Sequence, residues 1–427
     1  MRHVPLSSIA TFASGGTPAK TEPSYWNGSI KWLTPKDMPF WDGQTADRVS
    51  ELALGKGTRL APAGSIFIAV RGMSLHTEIR ILHSKEALAF NQDIKAINAS
   101  KSVNQKFLYY CLQAQKDYLL SCVEAAGHGT GRLPSDRLKS VPILDIDRFE
   151  QDRLASLFSC LDDKIDLNRQ MNETLEAMAR ALFKDWFVDF GPTRAKMAGQ
   201  KPYLAQDIWD LFPDRLDDKG KPEGWVISQI GNEATIVGGS TPSTAEPSFW
   251  DGFHAWATPK DLSGLSSPVI SKTVRTITDN GLSCISSGLL PAGSVLLSSR
   301  APVGYTAITT IPMAINQGFI GVICNKIISP PFVLFWMKES MDLIVQHANG
   351  STFQEISKKN FRPLPLIKPA VELLQKYSAI VQPLIDKIIQ NEAESKALAQ
   401  MRDLLLPKLM SGEIRIKDAE KMVEEVA

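Results

Sequence analysis

Residues 150–187 read EQDRLASLFSCLDDKIDLNRQMNETLEAMARALFKDWF, a run without proline or glycine. Leu154, Leu161, Asn168, Leu175 and Leu182 recur every seven residues, and Leu157, Phe158, Ile165, Met171 and Met178 fill the intermediate positions. That spacing predicts the apolar seam of a long helix built to pack along another helix. At ~1.5 Å per residue its 38 residues reach roughly 57 Å, the length of a spacer. A partner lies in the same chain, because adding 223 to each seam position gives Tyr377, Leu384, Asn391, Leu398 and Leu405. The same shift carries Asp163-Lys164-Ile165 onto Asp386-Lys387-Ile388. A lone Asn in an apolar seam fixes register at some loss of stability. Helices running antiparallel about a pseudo-twofold axis would bring Asn168 and Asn391 within about a turn of each other, whereas two solvent-facing Asn side chains would not meet.

The duplication extends beyond the helices. Thr17 to Met38 recurs without a gap as Thr241 to Leu262, with 12 of 22 positions identical, including Trp26/Trp250, Trp32/Trp256 and the Thr-Pro-Lys-Asp run at Thr34/Thr258. Pro62-Ala63-Gly64-Ser65 matches Pro291-Ala292-Gly293-Ser294, Arg71 matches Arg300, Asn91-Gln92 matches Asn316-Gln317, and Phe107 matches Phe332. The chain is a tandem repeat of a globular part followed by a long helix. We expect globular domains over 1–148 and 224–369, long helices over 149–190 and 370–412, a Pro/Gly/Lys/Asp-rich linker over 191–223 and a tail over 413–427. Within the copies, Val4 to Phe12, Ser65 to Val70 and Ser294 to Ser298 read as strands. Lys106 to Val123 and Phe332 to Gln346 read as amphipathic helices, and Gly127 to Gly131 and Asn349 to Ser351 as loops. The fold class is α/β: two mixed α/β domains joined by two long antiparallel coiled-coil helices.

Composition sets bounds on function. The 427 residues, 44% hydrophobic and 22% charged, suit a soluble chain of two or three domains. No apolar run reaches the ~20 residues of a membrane span, and the N-terminus lacks the apolar core of a signal peptide, so a cytoplasmic protein is expected. The five cysteines form no CxxC pair, which argues against a zinc site or a disulfide framework. The net charge is +1, but residues 1–148 carry 18 basic against 13 acidic side chains and residues 224–369 carry 10 against 8. Positive charge thus gathers on the globular parts, compatible with phosphate contacts.

Motifs for catalysis are missing. The sequence contains no GxxxxGK[ST] loop, no GxGxxG after a strand, no HExxH and no GxSxG elbow. Ser329-Pro330-Pro331-Phe332 resembles the motif that holds a target amino group in DNA amino-methyltransferases. The aligned Asn104-Gln105-Lys106-Phe107 lacks the prolines, and Pro in a first turn is an ordinary helix start.

Two similar domains on paired helices suit a ligand that repeats along a line, and duplex DNA repeats about every 34 Å. A duplicated single chain lets the halves diverge, so what they share should be scaffold, phosphate contact or partner contact, and what differs should read bases. The four shared tryptophans read as packing aromatics. Lys36/Lys260 and Arg71/Arg300 are candidate phosphate contacts, with internal ion pairs as the alternative. Asn91-Gln92 and Asn316-Gln317 could face adenine but, being shared, read as backbone caps. Base-reading candidates come from divergent segments: Arg48, Lys56, Arg59, His76, Arg80, His83, Lys95, His128 and Arg132 in the first copy, and Lys272, Arg275, Tyr305, Gln346, Asn349 and Gln354 in the second.

The run GGTP…YW.G…W.TPKD in each copy, from Gly15-Gly16-Thr17-Pro18 and Gly238-Gly239-Ser240-Thr241-Pro242, with the Leu161 to Ile165 helix start, is similar to the specificity subunit of type I restriction-modification systems. The resemblance covers essentially the whole chain. It implies two target-recognition domains, each reading half of a bipartite asymmetric DNA site, and helices that act as a ruler for the unread gap. It also implies that two methyltransferase subunits dock on the helices and that motor and nuclease subunits join them. No cofactor is expected on this chain; S-adenosylmethionine, ATP and Mg would belong to those partners, and catalysis with them. The first copy begins with no helix before it, so any cap on the pseudodyad must come from the tail. A duplicated non-catalytic scaffold joining two protein partners is the competing reading.

Overall fold

Two helices run to about forty residues each, Arg148–Phe187 with 40 residues and Val371–Ser411 with 41; the first holds no Pro or Gly, whereas the second continues through Pro383 and Pro407. Asp147 starts the first by accepting the Glu150 N–H at 2.8 Å, the N-cap bond that a short carboxylate makes. In this computed structural model, residues 2–39, 41–349 and 354–424 are described, without the side chains of His128 and Glu424. The expected loop at Asn349 to Ser351 therefore lies partly outside the described residues. The chain forms two compact units, Met1–Asp166 with Ser395–Ala427 and Leu167–Glu394, and the division falls inside both long helices.

The helices pair antiparallel within each unit. In the first, Asp162 meets Arg402 at 2.6 Å, and the earlier Arg153 meets Glu420, beyond the end of the second helix, at 2.6 Å. In the second, Asn168 Nδ2 donates to the Asn391 carbonyl at 3.4 Å and to Glu394 at 2.8 Å, and the later Phe183 packs on the earlier Tyr377. Asn391 Nδ2 donates to Asn172 Oδ1 at 2.9 Å, and Asn172 Nδ2 to Glu392 at 2.9 Å. All three Asn side chains are buried, so the seam carries a polar rung of three rather than two.

The seam differs from its expected course at two places. Met171 and Met178 are exposed, and the buried positions are Asn172 and Ala179. From Leu154 the inward positions step by four and then three residues, through Phe158, Leu161, Ile165, Asn168, Asn172, Leu175, Ala179, Leu182 and Trp186. Each Met sits one residue too early and turns about 100° away.

In the first unit a four-stranded antiparallel sheet runs in the order Ala10–Ser14, Ile94–Ala99, Ile66–Ala69 and Ile81–His83. A second runs Asp47–Val49, Trp26–Leu33, Leu88–Phe90 and Arg59–Ala61, with its central pair parallel. The other unit repeats this plan as a five-stranded sheet, Thr235–Gly238, Phe319–Ile323, Val295–Ser299, Val303–Thr309 and Val269–Ile270, beside a three-stranded one, Arg275–Ile277, Trp250–Ala257 and Met313–Ile315. The sheet built on Ile66–Ala69 and Val295–Ser299 fills the core, and those strands are buried at every position.

Several sequence expectations are refined. Val4 to Phe12 is not one strand: His3–Pro5 and Ala10–Ser14 flank a single helical turn, Leu6–Ile9, that drives Leu6 fully into the core. The helix expected over Lys106 to Val123 breaks at Gln115 into Gln105–Ala114 and Lys116–Ser121. Its counterpart breaks at Ser340 into Pro330–Glu339 and Met341–Gln346. The breaks re-aim the apolar face so that Leu119 and Ile344 are fully buried. Residues 191–223 hold two short helices, Gly191–Met197 and Gln206–Trp209, and bury Trp209 and Phe212 in the second unit. The tail forms a helix, Ile416–Glu424, that buries Ala419 and Val423 in the first. No described helix is long and apolar enough to cross a membrane.

Candidate nucleic-acid interface

The repeated run builds the same scaffold twice. Trp26 and Trp32 meet edge to face at 5.2 Å, as do Trp250 and Trp256 at 5.1 Å. Their indole N–H groups hold the preceding loop, Trp26 to the Ala19 carbonyl at 3.1 Å and Trp32 to that of Gly16 at 3.2 Å; Trp250 and Trp256 hold Ser243 and Ser240 likewise, at 3.0 and 3.1 Å. The Trp-Asn-Gly and Trp-Asp-Gly steps form a bulge. Asn27 and Asp251 lie in the left-handed region at φ 57° and 60°, which short polar side chains tolerate. A Cβ on Gly28 or Gly252 would stand 2.4 or 2.5 Å from the neighbouring backbone.

Thr-Pro-Lys-Asp is a cap. Asp37 accepts from the Thr34 N–H and hydroxyl at 2.7 and 2.6 Å, and Asp261 does the same for Thr258 at 2.7 and 2.7 Å. Lys36 and Lys260 stand exposed on these turns, their ammonium groups without a hydrogen-bond partner among the described residues. The shared amides are occupied inside the protein: Thr17 donates to Gln92 at 2.6 Å, Thr241 to Gln317 at 2.5 Å, and Asn91 accepts the Asp93 N–H at 3.1 Å.

A small ribbon gathers other candidates. In the first unit, Glu124–Ala126, Thr130–Arg132 and Arg71–Gly72 form a three-stranded sheet in which Arg132 lies directly opposite Arg71. His76 joins them, its Nε2 donating to the Gly129 carbonyl at 2.8 Å. In the second unit, Arg300 and Asn349 both bridge to Glu355, in the same antiparallel sense. Arg300 Nη1 lies 3.8 Å from Glu355 Oε2. The structure thus unites Arg71 with Arg132, and Arg300 with Asn349; the side chain of His128, in the turn between the first unit's strands, lies outside the described residues.

The chain matches the family model "Type I restriction modification DNA specificity domain" over residues 1–177 and 222–400. It belongs to that family. It is 27% identical to the MjaIX type I restriction enzyme specificity subunit of Methanocaldococcus jannaschii, covering 97% of this chain and 93% of that one. It is 26% identical to the HindI specificity subunit of Haemophilus influenzae over 72% of this chain and 77% of that one. The crystal structure of a type I restriction-modification S subunit from M. genitalium superposes with a TM-score of 0.54 at 15% identity, covering 96% of each chain, a likeness of fold.

Within this type I specificity chain, the remaining candidates scatter. Arg59, on an edge strand, and Lys272, in a loop, are exposed. Arg80 is taken up structurally, paired with Glu78 at 2.6 Å and donating to the Pro35 carbonyl at 2.6 Å. Arg275 stacks over Trp250, its guanidinium 3.4 Å from the ring centroid. Tyr305, on the strand Val303–Thr309, packs against the core. Lys95 donates to Ser14 at 2.8 Å, and burial lowers its pKa. His83 lies against Tyr109, and burial lowers its pKa too. Two residues escaped sequence reasoning. Glu355 stands 223 residues after Arg132, the offset of the helix seams, which is the signal that would have found it. Asn172 was hidden because its apolar neighbour Met171 reads as the intermediate seam position. Among the described residues, no group of His, Cys, Asp and Glu side chains is placed to hold a metal ion.

Proposed function

We propose that this chain is the non-catalytic, cytoplasmic DNA-reading subunit of a type I restriction-modification complex and reads a bipartite, asymmetric site, one half with residues 1–148 and the other with 224–369. The observation that carries this reading is a scaffold built twice with the same bonds, carrying different exposed side chains on each copy. Shared Lys36/Lys260 and Arg71/Arg300 would anchor phosphates, and divergent groups such as Arg59, Arg132, Lys272 and Asn349 would face bases. The long helices would act as the ruler between half-sites and dock two methyltransferase subunits. Leu167, Met171 and Met178 stand exposed along the first helix and offer apolar contacts for such docking. Methyl transfer with S-adenosylmethionine, and ATP- and Mg-dependent cleavage, would belong to the partner subunits, which would flip the target adenine out of the duplex.

Methylome sequencing of a methylation-deficient host tests this, comparing the cognate methyltransferase subunit alone with the same subunit plus this chain. A split asymmetric adenine-methylated motif that needs both supports the reading. Identical methylation with and without the chain would favour the scaffold alternative. Removing residues from a long helix should then change the preferred gap, since each carries ~1.5 Å against ~3.4 Å per base pair.

A further inference from the structure

The two copies keep one arginine and reverse the charge facing it. Arg71 lies across from Arg132, and its counterpart Arg300 lies across from Glu355. Like charges directly opposite on paired strands repel, and opposite charges attract, so the first arrangement is the less stable on its own. Two carboxylates lie near it without closing an ion pair among the described residues. Glu124 stands directly opposite Arg132 on the ribbon's other ladder, and Asp93, whose carboxyl burial pushes up and Arg71 pulls back, lies near Arg71. Both arginines are exposed. Two exposed arginines set opposite each other by a backbone ladder, neither in an ion pair among the described residues, suit an electron-rich ligand. In the second unit Glu355 keeps its carboxylate 48% exposed and only loosely engaged, 3.8 Å from Arg300.

Resting on the specificity reading above, we propose that position 132/355 is where the two half-sites are told apart, Arg132 reading a guanine and Glu355 a cytosine. The guanidinium fork of Arg132 matches the two acceptors, O6 and N7, that guanine shows in the major groove. A carboxylate only accepts, and cytosine offers the N4 amino donor there. The charge reversal therefore moves recognition from one member of a G·C pair to the other. Arg71 and Arg300, identical in the two copies, carry no information that separates the half-sites and anchor the phosphate beside each base.

The test is methylome sequencing of the complex carrying Arg132→Ala, Arg132→Gln, Glu355→Gln or Arg71→Ala beside the parent. The expected result is that either Arg132 variant relaxes one guanine in one half-site, lowering discrimination there by on the order of 10- to 100-fold, with the other half-site unchanged. Glu355→Gln should relax one cytosine in the other half-site, and Arg71→Ala should lower methylation at all sites with the motif intact. The surviving half-site reports that each variant is folded; if Arg132→Ala abolishes methylation, the longer, polar and uncharged Arg132→Gln gives the answer. An Arg132 or Glu355 variant that lowers methylation evenly with both half-sites intact, or that changes nothing, would overturn the assignment. A parent with no split motif would overturn the specificity reading itself, and this inference with it.

Discussion

Where a long helix meets its globular domain, the two units solve one packing problem with different chemistry. In the second unit Phe183, Trp186, Phe187, Phe332 and Tyr377 form a cluster of rings with centroid separations of 5.1 to 6.0 Å. In the first, the repeat offset puts Leu406, Leu409, Met410 and Leu154 at four of those places and keeps only Phe107. A polar triad takes part of the load there: Tyr110 donates to Asp162 at 2.8 Å and Arg402 pairs with Asp162 at 2.6 Å. Burial and then Asp162 push the Tyr110 hydroxyl pKa upward, so it stays a donor. The corresponding residues of the second unit are Phe335, Ile385 and Ala179, which need no polar partners. The backbone plan is therefore the constrained quantity, and side chains exchange in sets that keep either apolar volume or paired charge.

The largest test of that contrast is truncation of the aromatic joint. Phe183→Ala removes a ring that touches four others and should destabilise the second unit by ~3–5 kcal/mol, read by thermal melting and segment-resolved hydrogen exchange. Exchange in residues 1–140 should stay at parental rates; equal loss in both units would show that the joints are not independent.

A smaller effect is expected at the polar joint. Arg402→Ala leaves Asp162 facing a half-buried pocket, but the two side chains are 29% and 27% exposed, so water screens the pair and the loss should be about 1–2 kcal/mol. Adding Asp162→Ala should recover part of that loss. A double variant as unstable as the sum of the two single ones would show that the pair has no coupling to lose.

The contrast also predicts a difference in acid response. Glu233 is nearly buried, which pushes its pKa up, but bonds from Ser228 at 2.7 Å and Lys368 at 3.1 Å outweigh burial and hold it below the usual range. A depressed carboxyl contributes stability above its unfolded value of about 4.3, and the contribution fades as pH falls through the folded value. The first unit has Ile9 and Val4 at the positions of Glu233 and Ser228, so it lacks this term. Melting curves of the parent and Glu233→Gln should differ at pH 7 and converge below about pH 4; a constant difference across that range would remove the linkage.

The helices and the duplication were legible because both are written in local, repeated spacing. The interface was legible only in pieces. Arg71 and Arg132 are distant in sequence and meet through strands of two and three residues, too short to show an alternating pattern. Glu355 looks like any surface carboxylate until the repeat offset, which drifts from 224 at Trp26/Trp250 to 229 at Arg71/Arg300 and back to 223, is followed through the insertions. Arg80 and Arg275 were indistinguishable from free cations in sequence, because Glu78, the Pro35 carbonyl and Trp250 reach them only through the fold.

The smallest expected effect tests the seam itself, at the part of it that lies in the second unit. Met178 is 55% exposed and Ala179 is fully buried, although they are neighbours and the methionine is the larger hydrophobe. Met178→Lys should shift stability by no more than about 0.5 kcal/mol, since a lysine is a good helix former on a solvated face. Ala179→Lys must push a charged chain into the packed seam and should be far worse. If the complex with the methyltransferase subunit weakens with Met178→Lys while the isolated chain melts unchanged, the exposed methionine is a docking contact. If the isolated chain itself is destabilised as much as by Ala179→Lys, the four-then-three seam is wrong and Met178 returns to the seam position read from the sequence.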